Sequence, residues 1–214
     1  MNLSHKNIYI TGDTCYHRRN IVNGISDWRE ETRPFKTHRE HDNTLIKNIN
    51  SCVKKEDTLI CLGNFSFGGA YYLHEFFDKL NCKDIYLVLG EFDNPKLTRD
   101  VLFTYVEYEL SFIYRGNMIT CTHSPMLHWK GRGGRNGLHF HGSLRSVGDD
   151  RFINGRSMDV GIDGNPDFKP YLLKEVIQEV KKIKPSYFNE LSFTRYANKD
   201  AEEIEDILSM FGQE

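Results

Sequence analysis

Three short apolar runs in this chain each stop at a glycine followed by a polar residue: Gly12-Asp13, Gly63-Asn64 and Gly90-Glu91. A fourth ends at Thr122-His123, and His139 and His141 alternate a little further on. Carboxylates and imidazoles are the hard-oxygen and nitrogen donors with which α/β enzymes grip metal ions, and a glycine-bounded turn after a strand is a common place to hold them. Asn64, in the stretch ICLGNFSFGG, breaks that pattern. The turn is either an ordinary loop or a metal site from which the metal's chemistry has been removed.

The elements that would position these residues can be read from periodicity. Residues 7–11, 58–62 and 84–89 are β-rich and apolar. Between them, Leu45, Ile46, Ile49 and Val53 share one helical face, as do Leu73, Phe76, Phe77 and Leu80. Strands alternating with helices predict crossovers on an α/β sheet, with the polar residues gathered at one edge. Residues 105–114 then alternate with charges, turn at Arg115-Gly116-Asn117 and return over 118–122, which predicts a hairpin. A last strand is expected at 158–162 and a helix at 171–183. After Lys184-Pro185 the composition shifts, and Ile204, Ile207, Leu208 and Phe211 form the stripe of an acidic helix. We therefore divide the chain into a domain, 1–183, and an extension, 184–214, whose helix either docks on its own domain or makes a homo-oligomer or partner contact.

Composition limits the partners. With 214 residues, 39% of them hydrophobic, the chain suits one domain with a sizeable core. A formal net charge of -2 supplies no global basic field, so nucleic acid would have to be met by a local patch. One candidate is KGRGGRNG at 130–137, where Lys130, Arg132 and Arg135 sit among glycines that let backbone amides approach an anion. Its plainer reading is a mobile, solvated turn. The 5 cysteines are odd in number and lack CxxC spacing, which argues against a disulfide framework or zinc knot and suits a reducing cytosol. Cys15 reads as a small buried filler. No apolar run reaches the length of about eighteen residues that marks a membrane helix, and a cytoplasmic location without membrane contact is expected.

Five stretches, GDTCYHRRNI (12–21), LGNFSFG (62–68), LVLGEFDN (87–94), THSPMLHW (122–129) and LHFHGSLRS (138–146), resemble in order and spacing the calcineurin-like metallophosphoesterases, especially their small phage and bacterial branch. RPF at 33–35 and MDVGIDGN at 158–165 extend the resemblance. It implies a four-layer α/β/β/α sandwich with mixed sheets. It also implies a two-metal site that hydrolyses phosphate esters, with a histidine outside the metal shell assisting the leaving group.

Carried across, that pattern is broken at most of its positions. Where Asp-x-His is expected the chain has Asp13 and Cys15, and the bridging aspartate of the second motif is Asn64. Gly-Asn-His-Asp becomes Gly90-Glu91-Phe92-Asp93, and phenylalanine transfers no proton. The terminal Gly-His-x-His reads Gly142-Ser143-Leu144-Arg145, so only Asp13 and His123 keep the expected type. A guanidinium at Arg145 would repel a dication and offer Asp13 a counter-charge. Glu91 calls for Arg145 or Arg18, the latter standing where the phage branch often has histidine.

The resemblance therefore implies a pseudoenzyme with no catalytic residue. Its ligand, a nucleotide, a nucleic-acid end or a host or phage protein, would engage Arg18, Asn64, His123 and Arg145 in the old cleft and Lys130, Arg132 and Arg135 on the loop. The rival is a divergent phosphoesterase holding one Mn or Zn through Asp13, Asn64, Glu91 and His123. A third reading is an assembly protein acting through the C-terminal helix. The plainer reading of Asp13 and His123 is as packed, hydrogen-bonded residues, and of His17, His128, His139 and His141 as rim or strand residues.

Overall fold

The strand Thr58–Leu62 is buried at every position, as a strand must be when helices cover one face of its sheet and a second sheet covers the other. Leu59 and Cys61 join one apolar cluster, Ile60 and Leu62 the other. This period of two, repeated in neighbouring strands, sets the layers of the molecule. A computed structural model describes residues 7–22, 33–99, 101, 103–143 and 155–184. The acidic helix expected near residues 204–211, and Arg145, lie outside the described residues.

In chain order the elements are β1 (Ile8–Thr11), α1 (His38–Cys52), β2 (Thr58–Leu62), α2 (Ala70–Lys79), β3 (Ile85–Val88), α3 (Pro95–Arg99), β4 (Tyr105–Glu107), β5 (Glu109–Tyr114), β6 (Asn117–Thr122), β7 (Gly137–His141), β8 (Ser157–Asp159), β9 (Tyr171–Leu172) and α4 (Leu173–Lys181). One sheet runs β4-β3-β2-β1-β9, and the other β5-β6-β7-β8. Both are mixed: β9 is antiparallel to β1 in the first, and β5 to β6 in the second, while their other pairings are parallel. The expected α/β sandwich is present.

Leu45 and Ile49 of α1 and Leu73, Phe76 and Phe77 of α2 pack on the outer face of the first sheet. α1 starts where TxxE spacing places a cap: Thr37 Oγ1 accepts from Glu40 N at 3.1 Å, and Glu40 Oε2 reaches back to Lys36 N at 2.9 Å. Between the sheets, Ile8, Ile10 and Val88 meet Leu110, Ile119, Leu138 and Phe140, and α4 closes this core with Leu173, Val176 and Val180. No described helix is long and apolar enough to cross a membrane.

Three expected elements differ in detail. Residues 105–114 are two strands in two sheets, because Tyr105–Glu107 pairs with β3 and the chain crosses at the exposed Tyr108 before the hairpin of β5 and β6. The strand expected at 158–162 spans only Ser157–Asp159, after which Ile162 N donates to Gly12 O at 3.0 Å and a 3-10 turn follows. The helix expected from 171 begins at Leu173, since Tyr171 and Leu172 pair with β1 as an edge strand. Helical periodicity cannot distinguish a two-residue strand from the first turn of the helix that follows it.

Candidate functional site

The carboxyl ends of the two sheets meet where glycines let backbones touch. A Cβ on Gly12 would lie 2.8 Å from Gly142 Cα, and one on Gly63, whose φ is +88°, 2.4 Å from His123 Nδ1. These contacts bring the loops after β1, β2, β6 and β7 to one place. Asp13, Cys15, His17 and Asn64 all have φ between 50° and 60°, the left-handed region in which a non-glycine side chain costs about 1 kcal/mol or more. Left-handed backbone concentrated in these loops is the kind of strain that clusters at functional sites.

Asn64 is at the centre of these loops. Its Nδ2 donates to Asp13 Oδ1 at 2.7 Å and meets His123 Nε2 at 3.3 Å. Its Oδ1 accepts from Phe92 N at 3.0 Å. That backbone donor fixes the orientation of the amide, because the flipped form would set its oxygen against the Asp13 carboxylate. His123 Nδ1 faces Leu62 O at 2.8 Å and must donate to it, which leaves Nε2 as the acceptor for Asn64. One amide group thus directs its protons at the Asp13 carboxylate and the His123 imidazole. Asp13 and Asn64 are 5% and 4% exposed, so this polar cluster is nearly closed to water.

These residues do not fit a pair of divalent metals. A ligand bridging two cations must offer them anionic oxygen, and here Asn64 presents N–H groups to the very atoms that would ligate. Among the described residues, no group of three or more His, Cys, Asp or Glu side chains is placed to hold a metal ion. Glu91 is exposed on its turn, and among the described residues it makes no ion pair with Arg18; its other expected partner, Arg145, lies outside the described residues. Asp93 takes the inward position instead. Its carboxylate accepts from Asn64 N at 2.7 Å, Gly90 N at 2.8 Å and Phe65 N at 2.9 Å, tying two ligand loops together. Burial nevertheless pushes its pKa up against the pull of those N–H groups and of His123.

Arg18 lies over Phe67 at 4.8 Å and Phe92 at 5.1 Å, and the two rings are themselves 5.5 Å apart, so the cation caps a pair of touching rings. Phe92 is 42% exposed. Cys15 is buried with Ile21 and Val22. Ser143 is the last described residue before the undescribed 144–154. The loop at 130–137 is a closed turn, with Arg132 N bonded to Trp129 O and Gly134 N to Gly131 O. Arg132 is only 4% exposed and lies over the Trp129 ring at 5.4 Å, so it is a packing residue and not the solvated anion reader expected; Lys130 and Arg135 are exposed. His139 and His141 are fully buried, not at a rim.

Sequence reasoning missed the residue that braces the site. Arg33 donates through Nε and Nη2 to both oxygens of Asp163 at 2.7 and 2.8 Å, through Nη1 to Thr14 O at 3.0 Å, and through Nη2 to Asp13 O. Burial would lower its pKa, but the charge and hydrogen bonds of Asp163 outweigh that and raise it. RPF and MDVGIDGN, quoted separately above, are the two halves of this one clamp. Asp163→Ala should leave Arg33 buried without its counter-ion and cost about 3–5 kcal/mol, read by urea denaturation. A loss under about 1 kcal/mol would show that the clamp is dispensable.

No family model and no curated protein matches the sequence. Among solved structures, a protein of unknown function from Aquifex aeolicus aligns over 82% of this chain and 100% of its own length, at 18% identity and a TM-score of 0.59. The two share a fold. A novel archaeal phosphodiesterase aligns over 72% of this chain and 83% of its own, at 16% identity and a TM-score of 0.44.

Proposed function

We propose that this chain is a metallophosphoesterase-like protein that no longer hydrolyses phosphate esters and acts by binding a nucleotide, a nucleic-acid strand or a partner protein. The observation that carries the reading is the Asn64 amide, whose protons face Asp13 and His123 where a carboxylate bridging two cations would be required. Phe92 at the acid/base position removes the proton donor as well. What remains is a set of strained loops, a braced backbone and the touching Phe67-Phe92 pair capped by Arg18, features that suit recognition.

The test is cleavage of bis-p-nitrophenyl phosphate by the pure chain with Mn²⁺ or Zn²⁺. Turnover no faster than that of His123→Ala is expected. Robust metal-dependent cleavage that disappears in His123→Ala would overturn the reading and favour the one-metal hydrolase built on Asp13, Asn64, Glu91 and His123.

A further inference from the structure

The loop after β1 also borders a cavity of about 590 Å³, opening between that loop and the first turns of α1 and α2. Its wall is aromatic. Tyr72 stacks on His17 with ring centroids 3.4 Å apart and planes 12° from parallel, and Tyr71 meets Tyr72 edge-on at 5.0 Å. Tyr71 is nevertheless 70% exposed. A ring braced on one edge, with most of its surface in water, is a platform for another flat group at little further cost in ordering.

The rim of the cavity is basic. Arg19 and Arg39 are both exposed, and neither makes an ion pair among the described residues. Of the acidic groups lining it, Glu75 is bonded to Lys79 at 3.0 Å, and the buried Asp42 accepts from His17 N at 2.9 Å. Inside, His17 Nε2 is buried without a hydrogen-bond partner among the described residues.

We propose that this groove binds an unpaired nucleotide of a single-stranded nucleic acid, with the base laid on Tyr71 and the flanking phosphates between Arg19 and Arg39. This rests on the binding role proposed above and places the contact beside the old cleft instead of within it. Free phosphate would have no use for the tyrosine, a duplex hides its base faces, and an apolar peptide would have no use for the two arginines. With a net charge of -2 on the chain, the electrostatic footprint is small. Two phosphate contacts to a single strand give a slope of about -1.4 in log K against log salt.

The experiment is fluorescence anisotropy of a labelled twelve-nucleotide oligothymidylate titrated with the full chain. Tyr71→Ala should weaken binding about ten-fold, whereas Tyr71→Phe, which keeps the stacking face, should hold it within about two-fold. Arg19→Ala with Arg39→Ala should weaken it by a similar factor and flatten the salt dependence. Tyr108→Ala, an equally exposed tyrosine at the crossing between the sheets, should change nothing. Binding that ignores the Tyr71 and arginine variants but falls in Lys130→Ala with Arg135→Ala would overturn this groove and leave the binding role of the chain intact. No binding by the wild-type chain would overturn the inference and remove single-stranded nucleic acid from the proposed ligands.

Discussion

Asn64→Asp should be less stable than the wild-type chain at pH 7 by about 3–5 kcal/mol, the range for a buried charge left with the wrong partner. The substitution removes both amide protons, ending the 2.7 Å bond to Asp13 and the 3.3 Å contact with His123. It sets a second carboxylate against Asp13 at a site where both positions are at most 5% exposed. Like charges raise the pKa of such a pair, so the penalty should grow as pH rises through the raised value and fade as pH falls below it. A divalent cation would relieve the repulsion. Mn²⁺ or Zn²⁺ should therefore raise the melting temperature of Asn64→Asp by several degrees and leave that of the wild type unchanged, as scanning calorimetry would show. An Asn64→Asp variant as stable as wild type without metal would mean that the amide is not what balances Asp13.

The second large effect is a loss of stability in mild acid. His139 and His141 point outward from β7, are fully buried, and have ring centroids 5.3 Å apart. Burial lowers His139 to about 3, helped by the charge of His141, and lowers His141 to about 4, helped by that of His123, from an ordinary 6.5. A folded pKa below the unfolded one means that the unfolded chain binds protons first as pH falls. The contribution of these residues is fully present above pH 6.5 and is lost as pH falls toward 4 and then 3. By pH 5 each histidine should have cost about 2 kcal/mol, and the pair about 4, against a total stability of about 5–15 kcal/mol. Asp93 works in the opposite direction, since its raised pKa favours the folded state at low pH, but only near the carboxylate range.

The two histidines separate cleanly by mutation. His139 is held by Thr122 Oγ1 at 2.9 Å and Ser157 Oγ at 2.8 Å, whereas neither ring nitrogen of His141 has a partner among the described residues. His141→Phe removes two unsatisfied polar atoms and should be neutral or stabilising at pH 7 while removing about 2 kcal/mol of the loss at pH 5. Denaturation midpoints at pH 7 and pH 5 measure both. A wild-type chain whose stability is flat between them would contradict the burial argument.

The strands ending at Gly12, Gly63 and Gly90 were legible because apolar runs stopped by glycine leave little choice of element, and Leu45, Ile49, Leu73 and Phe76 spell out two helical faces. The small differences arose where local pattern says nothing of partners. Tyr105–Glu107 and Glu109–Tyr114 alternate alike yet pair with different sheets, and only the crossing at Tyr108 separates them. At the site, motif spacing located Asp13, Asn64 and His123, and they do converge. It placed Glu91 in the site, whereas the carboxylate of that turn that faces inward is Asp93, because sequence order does not say which one does. An aspartate three residues past a turn glycine, able to accept that glycine's N–H, was the signal available. Arg33 and Asp163 are 130 residues apart, and a charge inside the apolar, glycine-rich stretch DVGIDG was the only hint that a buried partner was needed. The Tyr71-Tyr72 wall was hidden by its own helix, whose buried face accounts for Leu73, Phe76 and Phe77 but not for the tyrosines before them.

The most direct check on the Asn64 cluster is the metal content of the wild-type chain, measured by mass spectrometry after incubation with Mn²⁺ and Zn²⁺ and exhaustive dialysis. With the Asn64 amide protons occupying the ligand lone pairs of Asp13 and His123, no stoichiometric metal should remain. Two ions per chain, or one that is lost in His123→Ala, would contradict a site held together by an amide in place of cations.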